Sequence, residues 1–223
     1  MPVFATLTYD TAHLLDAGML VVSFALLYQR RLFGVLKTYA VQALLLSAAA
    51  AWQAHAQAAP QLYITAAVAL IFKAIIIPLA LHRIIVQLNI HRAIETALGI
   101  GPTLMVGVAL VALSIWLVLP VTAASGALTR ESLASALSVV LLGLLIMITR
   151  RNAVSQVVGF MSLENGLILA AVGVKGMPLV VELSIAFEVM IAFIIFGIFF
   201  FHIRERFDTL DVHDIDRFRG ERP

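Results

Sequence analysis

Four ionisable side chains stand inside long apolar stretches that would otherwise be hydrocarbon-like: Lys73, Glu164, Glu182 and Glu188. A charge near the centre of a bilayer is costly, so such residues are rare and mark ion or proton pathways by default. The chemistry open to a buried carboxyl group or amine is proton carriage, taking a proton from one neighbour and passing it to the next. Lys73 lies near the middle of its run, too deep to reach either surface by snorkelling. A structural ion pair inside a helix bundle is the alternative for the same residue.

The stretch from Arg150 to Arg206 organises the rest. It reads as a membrane hairpin: the basic collar Arg150-Arg151-Asn152, an apolar run from about Ala153 to Val174, a tip at Lys175-Gly176-Met177-Pro178, and a second run from about Leu179 to Ile203. Each run exceeds the roughly 20 residues needed to cross the hydrocarbon core. Glu164 lies twelve residues before Gly176 and Glu188 twelve after it. At about 1.5 Å per residue, both carboxylates fall roughly 18 Å below the tip. With packed axes about 8–10 Å apart, one or two waters would bridge them if they face each other. Asn165 beside Glu164, and His202 near the end of the last run, are secondary polar candidates.

Composition sets the class. The chain is 62% hydrophobic with mean hydropathy +1.03, well above the roughly 45–50% apolar content of a soluble domain. An all-α, polytopic transmembrane helical bundle is the expectation, since the alternation of a membrane barrel is absent. The 223 residues include no cysteine, which excludes a cysteine-ligated iron–sulfur cluster or nickel–iron site in this chain. No histidine sits near the middle of an apolar run, and no phosphate-binding loop or nucleophile elbow is present. No cofactor, metal, nucleic-acid partner or catalytic residue is therefore expected, and the lipid bilayer is the first partner.

The remaining runs are roughly Thr11 to Tyr28, Phe33 to Ala54, Gln61 to Leu81, Gly99 to Pro120 and Leu133 to Thr149. The first is read as a span rather than a signal peptide, because Asp10 precedes it and Arg30-Arg31 follow. His13 and Asp16 sit three apart in its outer half, as a hydrated helix end or a secondary proton site. The second run is alanine-rich and suited to close helix packing. Pro78 removes a backbone hydrogen bond and is expected to bend the third run. Residues from about His82 to Leu98 read as an inner connection, partly an interfacial helix, and Arg130 and Glu131 as part of a loop. This gives about seven helices, with the N-terminus out and the C-terminus in. Twelve basic residues would then lie inside, from Arg30 to Arg222, and only Arg130 and Lys175 outside, as the positive-inside rule requires. The tail after Ile203 alternates acids with Phe207, Leu210, Val212, Ile215 and Phe218, a pattern open to docking on a partner or to solvation.

Several strings carry a family resemblance. Arg150-Arg151-Asn152, then Val158-Gly159-Phe160-Met161-Ser162-Leu163-Glu164-Asn165-Gly166, then Val181-Glu182-Leu183-Ser184-Ile185-Ala186-Phe187-Glu188 resemble hydrogenase-4 component E, as do Lys73 with Ile77-Pro78-Leu79 and the closing Thr209-Leu210-Asp211-Val212. The last three spans also resemble the small K subunit of respiratory complex I and the C subunit of Mrp-type antiporters. The resemblance implies a non-redox subunit in the membrane arm of a group 4 nickel–iron hydrogenase complex of the formate hydrogenlyase type, in a bacterial inner membrane. Its implied partners are antiporter-like and other membrane-arm subunits, with a soluble hydrogenase arm reached through the complex. In the complex I relative, two mid-membrane glutamates join a lateral proton path. Glu188 matches the second, and Glu164 the first after a shift of about one turn from Gly159. Glu182 has no counterpart. The implied regions are 1–149, a K-subunit-like 150–203 together with the helix from about 133, and a cytoplasmic tail at 204–223. Three roles remain open: a proton-relay and coupling subunit, a structural spacer, or part of an Mrp-like cation/proton antiporter.

The topology is directly testable, because a chain without cysteine accepts single reporters. Cysteines placed at Gln57 and Asp214 in turn should respectively react and fail to react with an impermeant thiol reagent on intact cells. The reverse pattern would invert the orientation.

Overall fold

A computed structural model describes residues 2–87, 99–122 and 127–173 of the chain. Most of the inner connection, the hairpin tip, the expected seventh span with Glu182, Glu188 and His202, and the tail lie outside the described residues. The helices are α1 (Pro2–Tyr28), α2 (Leu32–Gln57), α3 (Gln61–Val68), α4 (Ile77–Gln87), α5 (Ile100–Val121), α6 (Ala127–Thr149) and α7 (Ala153–Gly173), with a π-helical segment, Ala69–Ile76, between α3 and α4. No β-strand occurs among the described residues. Among the described residues, six spans are long and apolar enough to cross a membrane, the third running unbroken through α3, the π segment and α4 from Gln61 to Val86. The chain is thus an all-α, multi-pass membrane protein. Within a helical span the backbone groups bond to one another, as they must where no water can reach.

One expectation is refined and one is corrected. The disturbance expected near Pro78 is π-helical, and the third span continues past Pro78. The helix widens just before it, and the Ile77 N–H bonds to the Phe72 carbonyl, five residues back. A π turn absorbs the donor that proline lacks and the clash its ring would make one turn earlier. Arg130 and Glu131 are not in a loop, because α6 already begins at Ala127. The apolar run starts later than the helix does, since Arg130 and Glu131 stand near the start of α6, where Glu131 meets His13 and Tyr9 of α1.

Termini follow local chemistry. Ala58 adopts a left-handed conformation, φ 51° and ψ 41°, and the Ala59 N–H closes back on the Ala54 carbonyl at 3.0 Å. Pro60 then precedes α3 as its N-cap residue, already in helical conformation and with no N–H to satisfy. Asn152 caps α7 by accepting from Val154 N–H at 2.9 Å. Gln57 proves half-buried and donates to the Val172 carbonyl, so the exposed His55, half a turn earlier, is the cleaner reporter position for that end of the bundle.

In lipid, helices associate by close packing rather than by exclusion of water. The tightest contact is α6 on α7, and glycine makes it possible. A Cβ added at Gly143 would lie 2.5 Å from the Leu163 backbone nitrogen, and one at Gly166 would lie 2.8 Å from that of Val140. On their other sides, α1 packs against α2 and α6, and α2 against α7 and the third span. Gly143→Leu should therefore destabilise the purified chain by about 1–3 kcal/mol or more, read as a lower unfolding temperature in detergent. Gly101→Leu, where an added Cβ meets nothing within 4 Å, should leave that temperature nearly unchanged.

Candidate functional site

Lys73 and Glu164 meet in the middle of the bundle. Lys73 lies in the π segment and Glu164 near the centre of α7, and both are buried, at 0% and 1% exposure. The Lys73 Nζ lies 3.0 Å from Glu164 Oε2 and donates to Asn165 Oδ1 at 3.1 Å. Glu164 Oε1 has no hydrogen-bond partner among the described residues. Asn165 Nδ2 donates to Gln42 Oε1 at 3.3 Å, and Gln42 Nε2 reaches Ser23 Oγ at 2.8 Å and Ser162 Oγ at 2.9 Å. Ser23 in turn donates to the Met19 carbonyl. Four spans thus contribute to one buried polar network.

The local sequence explains this geometry. Glu164 and Asn165 are adjacent, so they point about 100° apart on α7, and a lysine between them can reach both. The π segment widens the third span at the level of Lys73, a place where single π turns are often found at functional sites. Moving either ion from water into this interior costs several kcal/mol, which a hydrogen-bonded partner must offset. At 3.0 Å the proton can sit on nitrogen or on oxygen, as ammonium–carboxylate or as amine–carboxylic acid.

Asp16 and His13 stand elsewhere, toward the end where α1 begins and α7 ends. Asp16 is buried and accepts from Ser132 Oγ at 2.6 Å. It lines a small cavity with Gln53, Ser132 and Gly173, with room for about one water molecule. His13 is half-exposed and pairs with Glu131, which also accepts from the Tyr9 hydroxyl. The two residues therefore serve different contacts, one inside and one at the rim. Between the Asp16 cavity and the Lys73 network lies an apolar layer including Met19, Leu46, Ala49, Ala50, Ile168 and Leu169. Asp16 and Ser23, like Val172 and Asn165, are seven residues apart, so the two polar levels are separated by roughly 10 Å.

The collar divides into unlike parts. Arg151 is exposed, whereas Arg150 is 3% exposed and donates to the Leu26 and Leu27 carbonyls at the end of α1, the latter at 2.6 Å. Burial pulls its pKa below the ordinary arginine value, yet a guanidinium stays charged at any working pH. It ties α1 to the α6–α7 turn.

Sequence reasoning singled out Lys73, Glu164 and Asn165, and the structure brings these three together. It missed Gln42, Ser23 and Ser162. A lone amide in the alanine–leucine run of α2 was the available signal. Glu182, Glu188 and His202 lie outside the described residues.

If the buried pair acts as a unit, the stabilities of its variants will not add. Lys73→Met alone leaves a buried acid without its partner and should cost about 3–5 kcal/mol. Adding Glu164→Gln should recover much of that loss. Unfolding of the four purified forms in detergent checks this, and additive losses would show that the two groups are uncoupled.

No protein-family model and no solved structure matches the chain. It is 33% identical over 186 residues to hydrogenase-4 component E of Escherichia coli K12, covering 82% of this chain and 85% of that protein. The protein of the same name from Shigella flexneri matches equally well. An uncharacterized protein of Mycobacterium tuberculosis is 26% identical over 204 residues, 91% of this chain and 93% of its own length. With that identity sustained over most of both chains, the protein belongs to the hydrogenase-4 component E family.

Proposed function

We propose that this chain is a non-redox membrane-arm subunit of a group 4 nickel–iron hydrogenase complex in a bacterial inner membrane, and that the Lys73–Glu164 pair passes protons within it. The observation that carries this reading is an acid–amine ion pair in contact at 3.0 Å, wholly buried at mid-span, whose second carboxylate oxygen has no hydrogen-bond partner among the described residues. The relatives named hydrogenase-4 component E support the complex.

In the proposed step, the Lys73 ammonium gives a proton to the Glu164 carboxylate, leaving an amine and a carboxylic acid. Glu164 then hands its proton on, and Lys73 is reprotonated from the opposite side. Glu188 is the proposed next carrier, on the equal spacing of the two glutamates about Gly176 and on the resemblance of residues 150–203 to the K subunit of complex I. Asn165 and Gln42 position the amine and fix its distance from the acid. Glu182, Asp16, His13 and His202 are secondary. Antiporter-like membrane subunits are the proposed neighbours, and the soluble hydrogenase arm is reached through them.

Glutamine keeps the size and most hydrogen bonds of glutamate but releases no proton. Glu188→Gln should leave complex yield intact, and Glu164→Gln and Glu188→Gln should each lower proton movement per assembled complex in vesicles by roughly tenfold or more, with Glu182→Gln milder. Normal coupled activity in both would reject the relay and favour a structural spacer, in which the buried pair only fixes helix packing.

A further inference from the structure

On the face away from α7, a groove of about 590 Å³ runs between α2 and the third span. Its walls are apolar, built by Leu36 and Ala40 on one side and Ile75 and Leu79 on the other. Small Ala40 faces Ala74 across it, and Pro78 contributes a ring but no N–H. One end differs. Lys37 and His82 line it there, and the His82 ring rests on Phe33, centroids 4.8 Å apart.

That basic end sits at the height of lipid headgroups. The second and third spans are 26 residues each, roughly 39 Å long against a hydrocarbon core of about 30 Å, so about three residues at each end stand outside it. Lys37 is the sixth residue of α2, and His82 lies four before the end of the third span. Both therefore lie near the boundary, and Arg30, Arg31 and Arg83 are exposed at the same end of the bundle. Basic pockets between transmembrane helices at this level take anionic headgroups.

We propose that the groove binds an anionic phospholipid, one acyl chain between α2 and the third span and the phosphate against Lys37 and His82. Charge complementarity selects an anionic over a zwitterionic lipid. The chain packs on Ala74 and Ile75 in the π segment, next in sequence to Lys73. Occupancy therefore braces the segment that carries the buried amine.

The full-length chain, purified in detergent, is titrated with phosphatidylglycerol and with phosphatidylcholine of the same acyl chains, and bound lipid is read by native mass spectrometry. Phosphatidylglycerol should bind more tightly. Lys37→Gln should weaken it about fivefold, the equivalent of about 1 kcal/mol for one basic residue near a lipid phosphate, and Lys37→Arg should retain it. Ala40→Phe should block both lipids. Equal binding of the two lipids, or indifference to Lys37→Gln, overturns the proposal. A photoreactive side chain at Leu79, 55% exposed, tests the occupant in intact membranes. A lipid adduct is expected, and a crosslink to another polypeptide without a lipid adduct overturns it.

Discussion

An ammonium and a carboxylate 3.0 Å apart, neither touching solvent, exist in a bilayer only by virtue of each other. Removing one leaves the other an isolated charge in a low-dielectric interior, where desolvation outweighs most other terms. The arrangement around them follows from that constraint. The third span widens so that Lys73 can reach, α7 presents acid and amide side by side, and α2 supplies Gln42 to orient the amide. The glycines of α6 and α7 let two backbones close up behind Glu164, so the helix that carries it is held from the other side.

The network also shows why this membrane core is specified so tightly. Leucine against lipid and leucine against leucine differ little in energy, so apolar faces alone leave rotation about each helix axis loosely set. A hydrogen-bonded chain through four spans fixes rotation as well as position. Arg150 does the same at the end of α1, where it donates to two of the last backbone carbonyls, those of Leu26 and Leu27.

Much of this was legible in the sequence. Span positions follow from run length, because a bilayer imposes one thickness on every helix. Lys73 and Glu164 stood out because ionisable groups are rare at such depth. Their pairing with each other was less legible than a Glu164–Glu188 pairing, since neighbouring helices in a hairpin suggest partners and distant ones do not. Ninety-one residues separate Lys73 from Glu164, and only the packing of α7 and the third span around α2 brings them together. The π segment was hidden for a different reason. Pro78 announces a disturbance, but whether a helix kinks or widens depends on what its neighbours need. Gln42 was passed over because an uncharged amide is cheap enough to be incidental, and Arg150 because a basic residue beside a span usually faces phosphate rather than carbonyl oxygens.

The apolar layer through Met19, Leu46 and Leu169 has an electrical meaning. It parts two polar levels that lie one above the other in the same bundle, the lower a buried ion pair and the upper a carboxyl group beside a small cavity. Within the described residues no continuous hydrogen-bonded chain crosses the roughly 10 Å between the two levels, where Ser47 bonds only a backbone carbonyl. The layer acts as insulation. For the proposed relay, such a layer would keep an ionisable group at mid-membrane from short-circuiting the two faces and would favour sideways travel into whatever packs beside α7 and the third span.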